Sequence, residues 1–306
     1  MPEGLVTKST GSWYLVETTD HKLIECRTRG KLRLKDLKVT NPVAVGDIVI
    51  YSLESSGQGI IEDVKPRENY LIRRSIKKAS HGHILAANID QAMLIATLTF
   101  PKTSTGFIDR FLVAAESFRI PTLLVLNKSD MWNEEMQAYA DEFASIYPPL
   151  GVFCISISAF NDTDILKIQQ LLEGKCTLLA GHSGVGKSTL LNKLHPDFDQ
   201  KTSEVSAFAN KGTHTTTFAE MFKINDNTRV IDTPGIKELG LIDFYDEEIY
   251  HYFPEMRALF GQCKFHNCTH THEPGCAVLK AVKDGNIAHS RYNSYISIIT
   301  EEDSHR

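Results

Sequence analysis

The first 65 or so residues carry short apolar bursts separated by turn residues at regular spacing: Ser12–Glu17, Lys22–Cys26, Asp47–Tyr51 and Gly59–Val64. Each has the length and composition of a strand. Short strands so spaced close into a small β-barrel, which leaves no exposed edges, and an oligonucleotide-binding (OB) fold is the candidate. Between Pro66 and Ala87 the pattern loosens into a polar, basic connection that includes Arg73-Arg74-Ser75-Ile76-Lys77-Lys78. A first domain boundary is expected near its start.

From Gln91 the rhythm changes to buried strands alternating with amphipathic helices. Strands are expected over Met93–Leu98, Thr122–Leu126, Val152–Ile157 and Cys176–Ala180, and near Thr217–Ile224 and Arg229–Ile231. Helices are expected near Ile108–Phe118, Glu134–Ile146, Asp164–Leu172 and Gly186–Leu194. This is the signature of a doubly wound parallel sheet that binds ligands at the carboxyl ends of its strands. Beyond Leu241 strands give way to a helical segment, a Cys/His cluster and a final helix near Cys276–Asp284. The predicted architecture is multidomain: an OB-type barrel over residues 1–67, an α/β P-loop domain over 68–241 and a mainly helical metal-binding region over 242–306.

Composition bounds this picture without redrawing it. A chain of 306 residues with 42% hydrophobic positions can fill more than one core. The net charge of −5 neither requires nor excludes a nucleic-acid partner, so local charge decides. No stretch has the length and apolarity of a signal peptide or bilayer span, which predicts a cytoplasmic protein without a membrane partner. No coiled-coil seam is visible, and a monomer is expected.

The chemistry is concentrated in two motifs whose order is unusual. Cys176–Ala180, then Gly181-His182-Ser183-Gly184-Val185-Gly186-Lys187-Ser188, then Thr189–Leu194 supply strand, glycine loop and helix in succession. Glycines let backbone N–H groups turn around phosphate oxygens, and the helix N-terminus adds a favourable dipole. Lys187 would neutralise the terminal phosphates and Ser188 would ligate Mg²⁺. Asp232, ending an apolar strand, would hold the metal's hydration shell, with the N–H of Gly235 on the γ-phosphate. Upstream, Asn127-Lys128-Ser129-Asp130 follows another apolar strand. A carboxylate at Asp130 can accept from both N1–H and N2–H of guanine, a donor pair that adenine lacks. Asn127 can reach the ring edge and tie loops together, the Lys128 stem can cover the base, and the N–H of Ala159, after Ser158, can reach O6. GTPases ordinarily place the phosphate loop first, so this order implies circular permutation.

Gly212-Thr213-His214-Thr215-Thr216-Thr217 follows a polar stretch suited to a switch. Thr216 is favoured over Thr215 as a second Mg²⁺ ligand. Ile236 stands where many GTPases carry a water-orienting glutamine, which leaves His214 to orient the water or act as base.

Cys263, Cys268, His270 and Cys276 offer three thiolates and an imidazole within fourteen residues, a complete tetrahedral set for one structural Zn²⁺. His266 and His272 compete with His270 on spacing alone. In the barrel, Arg27, Arg29, Lys31, Arg33 and Lys35 place a cation at every second position, one face of an extended strand. Such a face can follow an RNA backbone, and sparse aromatic partners favour structured RNA over a stacked single strand.

Taken together, these motifs resemble the RsgA family of circularly permuted GTPases, and the resemblance spans nearly the whole chain. It rests on Asn127–Asp130, Gly181–Ser188, Gly212–Thr216, Asp232-Thr233-Pro234-Gly235 and the Glu273-Pro274-Gly275-Cys276 end of the metal cluster. The resemblance implies an OB-fold domain, a permuted GTPase domain and a C-terminal zinc domain that together bind the small ribosomal subunit and its rRNA late in maturation. It also implies hydrolysis of GTP to GDP stimulated by the subunit and linked to release, with His214 used for hydrolysis and Cys263, Cys268, His270 and Cys276 as zinc ligands. Thr213 and Asn267 depart from residues common in relatives, and neither removes a ligand. The rival readings are an RNA-binding scaffold in which nucleotide is only an occupancy signal, and an ATP-dependent enzyme with a similar loop.

Overall fold

The computed structural model describes residues 1–30, 39, 41–74, 82–195, 219–233 and 248–303. The expected sites at Lys31, Arg33, Lys35, His214, Thr216 and Gly235 lie outside the described residues.

Five strands, β1 (Glu3–Ser9), β2 (Tyr14–Thr18), β3 (Leu23–Thr28), β4 (Ile48–Leu53) and β5 (Gly59–Val64), pair in the order β1-β2-β3-β5-β4, and β4 returns to β1. The circuit is a closed barrel in which only β3–β5 is parallel. Val6, Tyr14, Val16, Cys26, Val49, Tyr51 and Ile61 fill it. Gly4 lets β1 cross β2 closely, since a Cβ there would fall 2.4 Å from Val16 Cγ1.

The first strand escaped sequence reading for a physical reason. The β1–β2 register shifts between Val6 and Lys8, and the neighbouring Val6 and Thr7 are both buried. Such a bulge erases the two-residue alternation by which a strand is recognised.

A second correction concerns residues 66–87. The expected loose connection holds a β-hairpin, β6 (Tyr70–Arg74) and β7 (Gly82–Ala87), forming its own two-stranded sheet. Leu71, Ile84, Leu85 and Ala86 are buried there. The Asn41 side chain stands in for a neighbouring strand, donating to the Ile84 carbonyl and accepting from the Ile84 N–H, each at 2.8 Å. At the barrel's last turn Arg67 clasps the fully buried Asp47 with two hydrogen bonds of 2.7 Å.

The central sheet runs β10 (Phe153–Ser156), β9 (Thr122–Asn127), β8 (Gln91–Thr97), β11 (Cys176–Ala180), β13 (Arg229–Asp232), β12 (Glu220–Lys223). All neighbours are parallel except the edge strand β12. Buried on both faces, β8 and β9 read as continuous apolar runs. Their alternate residues serve different cores. Met93, Ile95, Leu123 and Val125 share a core with α3 (Asp162–Leu172) and α4 (Lys187–Leu194). Leu94, Ala96, Leu124 and Leu126 face α1 (Thr105–Ser117), α2 (Glu134–Ile146) and the C-terminal region.

Barrel and central sheet are continuous. Lys8 on β1 pairs with Glu220 on β12 in register, and their side chains form an ion pair at 2.9 Å. Arg229 on β13 reaches Glu17 on β2 at 2.9 Å. The edge that β12 would otherwise expose is thereby covered.

The C-terminal region comprises a 3-10 turn (Ile249–Tyr252), a single helical turn α5 (Pro254–Arg257), α6 (Ala277–Lys283) and α7 (His289–Asp303). The sequence pattern ended at α6 and missed α7. Its buried face includes Arg291 and Ser294, so polar positions interrupt the apolar stripe. Both answer to Asp109 of α1, itself fully buried: Arg291 donates to it at 2.7 Å, Ser294 at 2.5 Å and Tyr147 at 3.0 Å. Arg291 also grips Glu255 at 2.7 Å and lies over the Phe253 ring. Among the described residues no helix is long and apolar enough to cross a membrane.

Candidate functional site

The glycine loop lies between β11 and α4 at the carboxyl edge of the sheet. Gly181, Gly184 and Gly186 all have positive φ, at 141°, 84° and 102°. A Cβ at 181 would fall 2.3 Å from the Ile95 carbonyl oxygen, and one at 186 would fall 2.3 Å from Asn127 Nδ2. Only glycine permits this closeness. Ser183, Gly184 and Ser188 face solvent, whereas Val185 is buried and anchors the loop from beneath. Thr189 continues the first turn of α4.

Lys187 curls over the loop and donates to the carbonyls of Gly181 at 2.6 Å and His182 at 2.9 Å. Burial lowers its pKa, while the nearby Asp232 opposes that shift. Asp232, ending β13, has its pKa raised by burial against the pull of Lys187, and Glu220 across the β12–β13 ladder raises it further. Its Oδ1 is buried with no hydrogen-bond partner. A buried, orphaned carboxylate oxygen beside a phosphate loop fits a divalent cation with its water shell.

The guanine-type motif meets this loop directly. Asn127, almost fully buried at the end of β9, donates through Nδ2 to the Val185 carbonyl at 2.8 Å. Its Oδ1 accepts from the Ala159 N–H at 3.2 Å. One side chain therefore ties together the phosphate loop, the base motif and the loop after β10. Asp130 accepts from Ser158 Oγ at 2.6 Å and borders an open cleft of about 630 Å³. Lys128 adopts a left-handed backbone with φ of 68° and donates from Nζ to the Phe100 carbonyl at 2.7 Å.

Sequence reading missed the loop after β8, which no motif marks. Pro101 of that loop packs against Gly184, and Phe107 at the start of α1 stacks on His182 with centroids 3.9 Å apart. Thr97 Oγ1 holds the loop's shape by donating to the Pro101 carbonyl.

Across the molecule, the ligand atoms of Cys263, Cys268, His270 and Cys276 lie within 4.8 Å of one another, so the four could hold a metal ion. Individual separations are 3.6 Å for Cys263 Sγ to His270 Nδ1, 3.4 Å for His270 Nδ1 to Cys276 Sγ and 3.9 Å between the sulfurs of Cys263 and Cys276. A tetrahedral ion with thiolate and imidazole ligands spaces them about 3.5–3.8 Å apart. His266 and His272 are not in the cluster; His272 pairs its Nδ1 with Thr271 Oγ1 instead. Backbone N–H groups of Ala277 and Leu279 point at Cys263 and Cys276 sulfurs, an arrangement that favours thiolates. Burial pushes the Cys268 thiol up to about 12, a cost that a bound cation reverses.

The loop carrying His270 is belted from outside. Glu273 accepts from the Thr269 hydroxyl and from the N–H groups of Thr269, Thr271 and His272; although burial raises its pKa, the hydrogen bonds from the Thr269 hydroxyl and from the backbone prevail and hold it well below the usual carboxylate range. Tyr292 and Tyr295 of α7 donate to the carbonyls of His270 and Thr269 at 2.9 and 2.7 Å.

On the barrel, Arg27 pairs with Glu54 at 3.1 Å and Arg29 with Glu62 at 2.9 Å, so both guanidinium groups already have carboxylate partners.

A phosphate loop, a permuted guanine-type motif and a Cys₃His cluster behind an N-terminal barrel define the class of circularly permuted P-loop GTPases. The family model described as RsgA GTPase matches residues 64–242, and that described as RsgA N-terminal domain matches residues 3–61. The chain belongs to the RsgA family and is a GTP hydrolase. It is 50% identical over 301 residues to the small ribosomal subunit biogenesis GTPase RsgA 2 of Bacteroides thetaiotaomicron, covering 98% of this chain and 97% of that one. The RsgA of Cytophaga hutchinsonii is 51% identical over 306 residues, covering 99% and 100%. Among solved structures, YjeQ from Thermotoga maritima matches with a TM-score of 0.74 at 36% identity, covering 98% of each chain. YloQ, a circularly permuted GTPase, matches with a TM-score of 0.71 at 30% identity, covering 100% of this chain and 96% of that one.

Proposed function

We propose that this GTPase binds the small ribosomal subunit through its rRNA during late maturation, that the subunit stimulates conversion of GTP and water to GDP and phosphate, and that hydrolysis drives release. The observation that carries the reading is the pair of hydrogen bonds from the Asn127 amide, donated to Val185 and accepted from Ala159, which sets base recognition and phosphate binding at one sheet edge. Membership of a family whose relatives are named small ribosomal subunit biogenesis GTPases supports the choice of partner.

In this reading Asp130 reads the guanine edge with Asn127, Ser158 and Ala159 framing it, and the Lys128 stem covers the ring. The N–H groups from Gly181 to Thr189 wrap the phosphates. Lys187 leaves its two carbonyl partners for the terminal phosphates, a small rearrangement because both carbonyls belong to the same loop. Bound Mg²⁺ would be held by Ser188 and Thr216, with Asp232 behind its waters, and would offset phosphate charge. Gly235 donates to the γ-phosphate, and His214 orients the attacking water or takes its proton.

The Cys₃His set holds one Zn²⁺ in a structural role, because four protein ligands leave no open position. The working division is a barrel over 1–67, the GTPase domain over 68–241 and the metal-binding region over 242–306. Arg27, Arg29, Lys31, Arg33 and Lys35 contribute RNA phosphate contacts, which at Arg27 and Arg29 means exchanging a carboxylate for a phosphate. The protein acts in the cytoplasm as a monomer.

GTP turnover measured with and without isolated small subunits tests the reading. Subunits should raise kcat by at least about tenfold, and His214→Ala should abolish most of that rise while changing GTP affinity little. Equal turnover with and without subunits would leave the scaffold reading in its place.

A further inference from the structure

Phe160 follows Ser158 and Ala159 in the loop between β10 and α3, and its ring is 73% exposed. A single exposed phenylalanine is unremarkable on most surfaces. This one borders the open cleft beside Asp130, and every other residue lining that cleft is serine, threonine, asparagine or aspartate. Phe160 is therefore the one apolar residue lining the cleft.

The loop that carries it is pinned. The Phe160 N–H donates to Ser158 Oγ at 3.2 Å, and Ser158 Oγ donates in turn to Asp130 Oδ1 at 2.6 Å. Asn161 then caps α3 by accepting from Thr163 and Asp164. The backbone that carries the ring is thus fixed relative to the carboxylate assigned to the base edge, and the ring stands exposed at the rim of the same cleft. A base gripped along its edge, with the Lys128 stem over one face, still presents a second π face, which hydroxyls and carboxylates cover poorly and an aromatic ring covers well.

We propose that Phe160 stacks on a face of the bound guanine and so sets nucleotide affinity and residence time, a role that rests on the assignment of Asp130 to the base edge. It positions substrate and takes no part in bond making. Phe160→Ala should weaken GDP binding about tenfold, within the range for loss of one base–aromatic stack. KM for GTP should rise in parallel while kcat stays within about twofold, the pattern of lost uniform binding. The unliganded melting temperature should not move, because the ring is exposed. Phe160→Trp should retain GDP affinity, and its added indole emission should be quenched on GDP binding.

The experiment is a calorimetric titration of the full chain with GDP and with xanthosine diphosphate, comparing wild type, Phe160→Ala, Phe160→Trp, Asp130→Asn and Phe153→Ala. Phe153 is an exposed ring at the amino end of β10, on the opposite edge of the sheet, and its loss should leave GDP affinity unchanged. Asp130→Asn should lose GDP and gain xanthosine diphosphate, whose C2 carbonyl accepts from the new amide. If Asp130→Asn behaves so but Phe160→Ala binds GDP within about twofold of wild type, the stacking role alone is overturned. If Asp130→Asn still prefers GDP, the assignment of the base edge fails and the proposal fails with it.

Discussion

The phosphate loop and the metal cluster are both preorganised, by opposite means. The phosphate loop is shaped by its own backbone, with three glycines at positive φ and Asn127 bracing it from the end of β9, two strands away from β11. Its polar edge at Ser183, Gly184 and Ser188 lies open to solvent. The metal cluster is shaped by side chains: Glu273 of its own loop gathers three N–H groups, and two tyrosines arriving from α7 hold the carbonyls of Thr269 and His270. A site that must exchange its ligand presents unsatisfied groups outward; one that keeps its ligand is enclosed and tied down. The tie extends further, because α7 is itself bolted to α1 through Arg291 and Asp109, and α1 begins against His182 of the phosphate loop.

Removing the metal should separate the two regions most sharply. Cys276→Ser, or prolonged chelation, should forfeit roughly 10 kcal/mol of metal-linked folding free energy. Hydrogen exchange should then rise through residues 248–303 while much of the central sheet stays protected. Equal loss of protection in both regions would mean that they fold as one unit.

Arg291→Met comes next. It leaves Asp109 buried without its cation, which should cost about 3–5 kcal/mol in chemical denaturation. Asp109→Asn combined with Arg291→Met should recover part of that loss. GDP affinity should change less than about threefold. A larger change would mean that α1 transmits strain to His182, so that the two sites are not independent.

Asp232→Asn should give the smallest effect on stability, with the opposite sign. Burial raises the Asp232 pKa, so the folded state prefers the neutral acid. Its contribution to stability is fully present below the unfolded pKa and is lost as pH rises through the folded one. At neutral pH the amide should therefore raise the melting temperature of the nucleotide-free protein, by about 2–4 °C. The same substitution should remove most of the stabilisation that Mg²⁺ adds in the presence of GTP. A lower melting temperature would mean that the ionised carboxylate is a favourable partner of Lys187 and not a poised cation ligand.

What was legible in the sequence follows from how local the signals are. The strands and helices from Gln91 to Leu194 were readable because apolar periodicity is a property of neighbouring residues. The phosphate loop was readable because its glycines, lysine and serine are consecutive. The β1 strand was hidden by a bulge, the hairpin by the basic run through residues 73–78, and α7 by the polar residues it buries. None of these violates the physics of its element. Each depends on a partner outside the element itself: β2 for β1, Asn41 for β7, Asp109 for Arg291.

The same division holds at the sites. By itself the sequence determined the fold class, the permuted order of the nucleotide motifs and a candidate Cys₃His ligand set, since these are carried by residue type and spacing. Tertiary structure decided the choice among His266, His270 and His272, because only distance separates chemically identical ligands. It paired Arg27 and Arg29 with Glu54 and Glu62, where spacing had shown only a row of cations on one strand face. It joined the barrel to the edge of the central sheet through Lys8 and Glu220, more than two hundred residues apart. Charge and hydrogen-bond partnerships of that span are settled by packing, which a one-dimensional pattern does not contain.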